Sequence, residues 1–582
     1  MPGSEPTPPT PSSPYDARPW LAHYPVGVPT DYAFPLVPLT RLLDDAASSF
    51  PTRTALAFFG ATTSYRELKE AVDRFAGALR GLGVGRGDRV AVVLPNCPQN
   101  VITVFATLRL GAVVVQHDPL STEAELRRQL ADCGAEVVVC LDRGYAVVAS
   151  VRADTAVQHV VVASFTEFLP TAARFTRRLP VGRAKRARDV LSTPIPRGAP
   201  VERFLPLLKD APPARQVEVD PETDLALLQY TGGTTGVTRG AMLTHHNLVS
   251  NAYMNRLWDT GAAAGREVTL GVLPLSHLYG LTVCLNATVL LGGTLVLLPR
   301  FDVDQVLAAV ERWRPTMFPG VPPIYQTLLD SPRITDHDLS SIRVGVSGAM
   351  RLPVELQQRF EEVTGGRLVE GYGLTETSPS THCNPITGER RVGSIGLPLP
   401  GTYCRVLDPE NPSREVPPGF SGELAVKGPQ VLLGYWKDAV DPLTVDDWLL
   451  TGDLVVMDED GFFTVVDRKK ELVVVGGRNV YPSEVEQVLR SLPGVVDAAV
   501  VGVEDERHVE TVTAFVVAAP GSGLTEQDVV SHCRAELSSY KVPRAVRFSD
   551  VLPRSTVGKV QRRVLVEQEQ ADKAARKTAA SA

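Results

Sequence analysis

The chain has 582 residues, with 59 Lys plus Arg against 66 Asp plus Glu and a formal net charge of −7. Hydrophobic residues make up 44% and charged residues 21%, a globular composition that excludes wholesale disorder or a coiled coil. The lack of a basic excess argues against a nucleic-acid binder, and the length is enough for more than one core.

Residues 1–20 contain seven prolines and no apolar run of the kind a secretory leader needs. Residues 1–30 are therefore expected to be a flexible, Pro-rich tail. From Asp31 onward, helical and strand patterns alternate. Leu68, Val72, Phe75, Leu79 and Leu82 share one face of an amphipathic helix over residues 66–82. Continuous apolar runs at 89–94, 112–115 and 136–141 read as strands of a parallel sheet covered on both faces.

Residues 165–220 break this pattern and read as a surface insertion. Their basic cluster is Arg174, Arg177, Arg178, Arg183, Lys185, Arg186 and Arg188. It fits either a solvated face or a contact with anionic lipid, to which clustered cations are drawn. The run from Leu281 to Leu298 approaches membrane-span length but contains Asn286 and the pair Gly292-Gly293. It reads as a buried helix, a turn and a buried strand. From about 400 to 466 come short strands with Gly and Pro turns, a small antiparallel barrel or sheet. After the charged run Asp467-Arg468-Lys469-Lys470-Glu471, a compact α+β pattern continues. The resulting domains are 31–466 and 467–565, with a fraying tail over 566–582.

The seven cysteines, Cys97, Cys133, Cys140, Cys284, Cys383, Cys404 and Cys533, are scattered, with no Cys-x-x-Cys pair. That spacing suits buried free thiols in a reducing compartment better than a disulfide framework or a zinc site. A cytoplasmic location is expected, with peripheral contact at the inner face of the membrane if the basic cluster binds lipid.

The run Tyr230-Thr231-Gly232-Gly233-Thr234-Thr235-Gly236-Val237-Thr238-Arg239-Gly240 follows an apolar strand at 225–228. Glycines free the backbone to present N–H groups, threonine hydroxyls add donors and Arg239 adds fixed charge, which together suit a polyphosphate. It is neither a Walker A loop nor a GxGxxG turn.

Five further segments, in order, are Leu273 to Gly280 with His277, Glu370 to Thr377, Trp448 to Asp453, Asp467 through Glu486, and Pro553 to Arg563. With the Gly/Thr loop they resemble the acyl- and aryl-adenylate-forming superfamily over about residues 40–565. Departures from its patterns are Gly232, Thr238 and Arg239 in the loop, Ser276 before His277, the run Ser347 to Arg351, and Val509. The resemblance implies an α/β fold: a large N-terminal domain of two αβα-layered sheets plus a small β-barrel, then a small mobile α+β C-terminal domain. It also implies ATP, Mg²⁺ and coenzyme A, the last as substrate. In the implied reaction a carboxylate attacks the α-phosphate to give acyl-AMP and pyrophosphate, and a thiol then takes the acyl group and releases AMP.

On the matching positions, Lys559 is the cation on the reacting carboxylate and α-phosphate, and Glu376 is the Mg²⁺ carboxylate. Thr231, Gly232, Gly233, Thr234, Thr235, Gly236, Arg239 and Thr375 would meet phosphate, Tyr372 would lie against adenine, and Gly373 beside it would belong to the nucleotide site. Asp453 would hold the ribose, with Arg468 approaching from the hinge side. His277 would line or gate the acid pocket, Lys470 would be the hinge, and Gly477 would let the pantetheine arm pass. His245-His246 looks like a ligand pair but follows Thr244, an N-cap for a helix ending at Trp258.

Glycine at 232 and the insertion after 165 resemble the long-chain fatty acyl-CoA synthetase branch. The expected substrate is a medium- or long-chain fatty acid, bound through about 0.8 kcal/mol per buried methylene. Three alternatives stand beside it: transfer to a carrier-protein pantetheine, an aryl-CoA ligase, and a silent nucleotide- or fatty-acid-binding protein. Intact Lys559, Glu376 and Asp453 argue against the last.

Overall fold

The structure is a computed structural model. It describes residues 13–170, 191–231, 238–438, 442–443, 446–475, 478–504, 510–555 and 558–581. The basic cluster at 174–188, Gly232 to Gly236, Gly477 and Val509 lie outside the described residues.

Two compact units emerge. One comprises Trp20–Tyr403 and Val426–Leu449; the other comprises Met1–Pro19, Cys404–Ala425 and Leu450–Ala582. The boundary read from the sequence at 466–467 falls inside the second unit, because the short strands after 403 group with the C-terminal part.

The larger unit holds two sheets. In the eight-stranded sheet, Arg89–Val93 lies between Val113–Gln116 and Val137–Leu141, all parallel. Leu225–Thr231 continues it in parallel, and Arg239–Thr244 and Gly434–Tyr435 extend it antiparallel. The nine-stranded sheet has a parallel centre, including Val268–Gly271, Met317–Gly320, Val344–Ser347 and the strand Arg367–Gly373. The helices Tyr65–Gly81 and Pro98–Arg109 fill the space between the sheets, in a core that includes Leu56, Phe75, Val90, Phe105 and Leu295. Separate apolar clusters cover the outer face of each sheet, around Phe318 and Phe360 on one and Val138 and Val160 on the other. The layering is therefore αβαβα, as continuous apolar strands require when both faces must be covered.

The expected strands and helix appear within about one residue of their reading. Ser64 caps the first amphipathic helix through Glu67, and Thr244 caps His245–Trp258. His245 accepts a backbone hydrogen bond from Leu39 at 3.1 Å, and no cluster of three or more His, Cys, Asp or Glu placed to hold a metal ion occurs among the described residues. The Leu281 to Leu298 run is a buried π-helix over Gly280–Asn286, a short α-turn and the strand Thr294–Leu297. No described helix is long and apolar enough to cross a membrane.

Three expectations are corrected. Described residues near the N-terminus are anchored: Ser13 donates to Glu415 at 2.7 Å, the Tyr15 hydroxyl to the Val416 carbonyl, and Trp20 is buried. The flanks of the 165–220 insertion also belong to the core, since Phe165, Leu169 and Phe204 are buried and Phe204 packs 4.3 Å from Phe75 between ring centroids. The expected tail at 566–582 is largely a helix, Arg562–Ser581. Its Leu565 and Glu569 are buried, and Glu569 pairs with Arg547 at 2.7 Å.

The smaller unit contains most of the four-stranded sheet of Tyr403–Leu407, Ser421–Lys427, Leu449–Met457 and Phe463–Arg468. Beyond it, the sheet of Val495–Glu504, Glu510–Ala518 and Ala545–Phe548 carries the helices Pro482–Ser491 and Glu526–Glu536 on one face and the C-terminal helix on the other. All seven cysteines are free and buried.

Candidate active site

Thr231 and Arg239 face each other across an antiparallel pair. The half-exposed Arg239 guanidinium lies 5.3 Å from the centre of the Tyr435 ring, and its Nε is 3.5 Å from Asp438 Oδ2. A cation over an aromatic face is held without losing its charge.

Tyr435 sits on the two-residue strand Gly434–Tyr435, opposite Ala241. Its hydroxyl donates to Glu376 Oε1 at 2.8 Å. Burial, and then the Glu376 charge, push the phenol above its ordinary range, so it stays a donor. Arg239, Tyr435 and Glu376 thus form a cation–ring–carboxylate series. The sequence reading named its two ends and missed the middle. A hint was the aromatic pair Tyr435-Trp436 directly after Gly434.

Glu376 belongs to the short 3₁₀ turn Thr375–Thr377. The backbone doubles back so tightly here that a Cβ on Gly373 would fall 1.8 Å from the Pro379 carbonyl oxygen. Tyr372, two strand positions beyond Glu370, meets His382 edge-on at 5.8 Å. Burial lifts the Glu370 carboxyl to about 8, so it is neutral at pH 7. Its Oε2 and the hydroxyl of its register neighbour Ser347 are buried and find no hydrogen-bond partner among the described residues.

His277 lies on a turn held from the other sheet. Asn96 donates to the carbonyls of Gly271 at 3.0 Å and Leu273 at 2.8 Å, and accepts from the Leu275 N–H at 2.7 Å. Gln229 donates to the Ser276 carbonyl at 3.1 Å. The Tyr279 N–H donates to His277 Nδ1 at 3.3 Å, so a neutral ring carries its proton on Nε2. A Cβ on Gly280 would fall 2.2 Å from the Pro274 carbonyl oxygen, which lets the π-helix start against this turn. A π-helical turn beside a site is a recurring arrangement. Asn96 and Gln229 were not among the expected residues.

In the smaller unit, Asp453 is buried and opposite Arg468 in the antiparallel register, with Nε to Oδ1 at 2.9 Å. Glu423 accepts from the Gly452 N–H at 3.2 Å and pairs with Lys469 at 2.7 Å. Lys470 is exposed. Lys559 lies on a tight loop: the Ser555 N–H donates to its carbonyl at 2.8 Å, and the preceding Gly558 has φ of +83°.

The chain belongs to the AMP-binding enzyme family. Residues 43–436 match its main model, and residues 484–559 match the model of the AMP-binding enzyme C-terminal domain. It is 40% identical over 556 residues to a long-chain-fatty-acid–CoA ligase of Bacillus subtilis (strain 168), covering 95% of this chain and 98% of the relative. It is 37% identical over 513 residues to a feruloyl-CoA synthase of Amycolatopsis sp, covering 88% of this chain and 94% of that one. Among solved structures, ATP-bound MatB from Rhodopseudomonas palustris aligns with a TM-score of 0.78 at 32% identity, covering 91% of this chain and 99% of that one.

Proposed function

We propose that the protein is an ATP-dependent acid–thiol ligase that converts a medium- or long-chain fatty acid to acyl-AMP and then to acyl-CoA. The likeness to the Bacillus subtilis ligase along almost the full length of both chains carries this reading.

The first half brings two anions together, so it is governed by cations and fixed donors. Lys559 offsets the charge of the reacting carboxylate and α-phosphate. Arg239 and the Gly/Thr-loop donors hold the outer phosphates. Arg468, paired with Asp453 at 2.9 Å, orients its carboxylate toward the ribose hydroxyls. The carboxylate of Glu376 is a hard oxygen donor, which suits Mg²⁺ with most of its waters retained, and the hydroxyl of Thr375 meets the α-phosphate. When bound, that ion supplies charge neutralisation between the phosphates. His277, held with Nδ1 accepting, presents Nε2–H toward the acid pocket. In the second half the thiol of coenzyme A takes the acyl group, and Gly477 leaves room for the pantetheine arm.

A hydroxamate screen over fatty acids of graded length, with and without coenzyme A, tests the assignment. Acyl hydroxamate formation peaking among medium or long chains, with AMP release accelerated by coenzyme A, is the expected result. The feruloyl-CoA synthase likeness favours a second reading, an aryl acid, and ferulate in the same screen decides between them. Activation that proceeds while coenzyme A leaves AMP release unchanged would point to a carrier-protein acceptor.

Membrane contact through Arg177, Arg178, Arg183, Arg186 and Arg188 is a separate proposal, based on their clustering. Replacing all five with Gln should abolish salt-sensitive co-sedimentation with anionic vesicles. Unchanged co-sedimentation would leave the cluster as a solvated face.

A further inference from the structure

The segment bearing Lys470 and the segment bearing Lys559 are fastened together by one side chain. Arg562 opens the C-terminal helix, three residues beyond Lys559. Its Nη1 donates to Glu471 Oε2 at 2.6 Å and its Nη2 to Glu486 Oε1 at 2.7 Å. Its Nε donates to the Val500 carbonyl at 3.3 Å, and the charge of Asp467 also acts on it. Glu486 is buried on the helix Pro482–Ser491, and its Oε1 accepts a second hydrogen bond, from the Val500 N–H at 2.9 Å. One guanidinium therefore joins the end of the turn Lys469–Glu471, a helix, and an outer strand of the three-stranded sheet.

On the other side of Lys470 the partners differ. Lys469 pairs with Glu423 and Arg468 with Asp453, both in the four-stranded sheet. Lys470 itself makes no hydrogen bond or ion pair among the described residues. Asp467, before this residue, also accepts from Ser483 on the helix Pro482–Ser491 at 2.9 Å, so a turn at Lys470 must release that contact while Arg562 keeps Glu471, Glu486 and the Lys559 segment together.

We propose that Arg562 is a positioning residue for acyl-AMP formation: with Glu471 and Glu486 it clamps the base of the Lys559 loop to the far side of the hinge, so that rotation at Lys470 delivers Lys559 in fixed register. The proposal rests on the roles of Lys559 and Lys470 given above. The described ends of this segment are braced together, because the Gln561 N–H donates to the Pro553 carbonyl at 2.8 Å and Arg554 donates to the Gly558 carbonyl at 2.6 Å. Arginine is suited to the clamp because its planar fork reaches two carboxylates at once, which an ammonium on a single stem does poorly. Misplacing a reacting group by about 1 Å costs on the order of a hundredfold in rate.

The test uses the full chain with palmitate as the probe acid. Pyrophosphate release and thioester formation from supplied palmitoyl-AMP are measured separately, with unfolding midpoints, for Arg562→Gln, Arg562→Lys, Glu471→Gln, the Arg562→Gln/Glu471→Gln double variant and Lys559→Ala. Arg562→Gln should lower kcat for pyrophosphate release on the order of a hundredfold. KM for ATP and the thioester half should change less than about twofold. Arg562→Lys should recover part of the loss, and the double variant should be no slower than Arg562→Gln, since clamp members act as a unit. Wild-type pyrophosphate release by Arg562→Gln overturns the proposal, as does a parallel fall of both halves together with the unfolding midpoint. If Lys559→Ala keeps pyrophosphate release, the Lys559 reading falls and takes the clamp with it. If Lys559→Ala loses pyrophosphate release and Arg562→Gln keeps it, only the clamp falls.

Discussion

Glu376 is oriented before any substrate arrives, because the Tyr435 hydroxyl already donates to it. Glu376→Gln keeps the shape and removes the charge. It should lower Mg²⁺-ATP-dependent pyrophosphate release on the order of a hundredfold with an unchanged unfolding midpoint. Wild-type turnover in that variant would end the metal-site assignment. Tyr435→Phe removes one hydrogen bond of about 1 kcal/mol and should cost only about fivefold. The carboxylate was legible in the sequence because it sits inside a local motif. Tyr435 was not, since 59 residues separate it from its partner and only sheet pairing brings it home. Asn96, Gln229 and Arg562 share that character: each acts on a segment distant in the chain.

At the scale of elements, the turn before His277 is the clearest case of one sheet fixing the other. Asn96→Ala would leave the Leu273 carbonyl and the Leu275 N–H without this partner, while the Gly271 carbonyl keeps the Leu298 N–H. Each such buried group costs about 1–3 kcal/mol. The variant should be destabilised by at least about 2 kcal/mol in urea titration, with a raised KM for the acid. A loss of stability without any change in KM would confine Asn96 to a structural role. The strands and capped helices were readable because period and cap agree locally. The C-terminal helix was not: its single buried leucine and buried glutamate give almost no apolar stripe, and the ion pair with Arg547 supplies what the stripe lacks. The insertion flanks were misread for the opposite reason, as surrounding prolines and charges hid Phe165 and Phe204.

For the whole molecule, buried titratable groups set a pH profile. Glu370 is pushed by burial from 4.5 up to about 8. Between those values the folded chain keeps a proton that the unfolded chain releases, so this contribution is full below pH 4.5 and falls as pH rises. Burial lowers His382 to about 3 and His117 and His245 to about 4, from 6.5. There the unfolded chain binds the protons, so stability falls as pH drops below 6.5. Burial also lowers His246 and raises Glu167 and Glu471, so histidines lost on the acid side and carboxyls lost on the alkaline side bracket an unfolding-midpoint maximum near neutral pH. Glu370→Gln should flatten the alkaline decline. An equally steep decline in that variant would remove Glu370 from the explanation. The two-sheet architecture itself followed from strand–helix alternation and the resemblance together. The grouping of the short strands with the C-terminal part did not, because it depends on packing that leaves no periodic trace.

The burial of every cysteine has a chemical consequence. A protein that makes activated acyl groups beside a thiol acceptor could acylate its own thiols, or exchange disulfides with its substrate, were any within reach. Burial lifts Cys97, Cys140, Cys284 and Cys383 to about 12, and Cys133 and Cys533 to about 11. Thiolate, the reactive form, is thereby suppressed as well as hidden. The native protein should therefore titrate as nearly thiol-free with an aromatic disulfide reagent and show all seven sulfhydryls only after denaturation. Rapid labelling of the native chain would refute this. If it holds, the only nucleophilic sulfur in the reaction chamber is the one the acceptor brings, and acyl transfer stays faithful through the protein's own inertness.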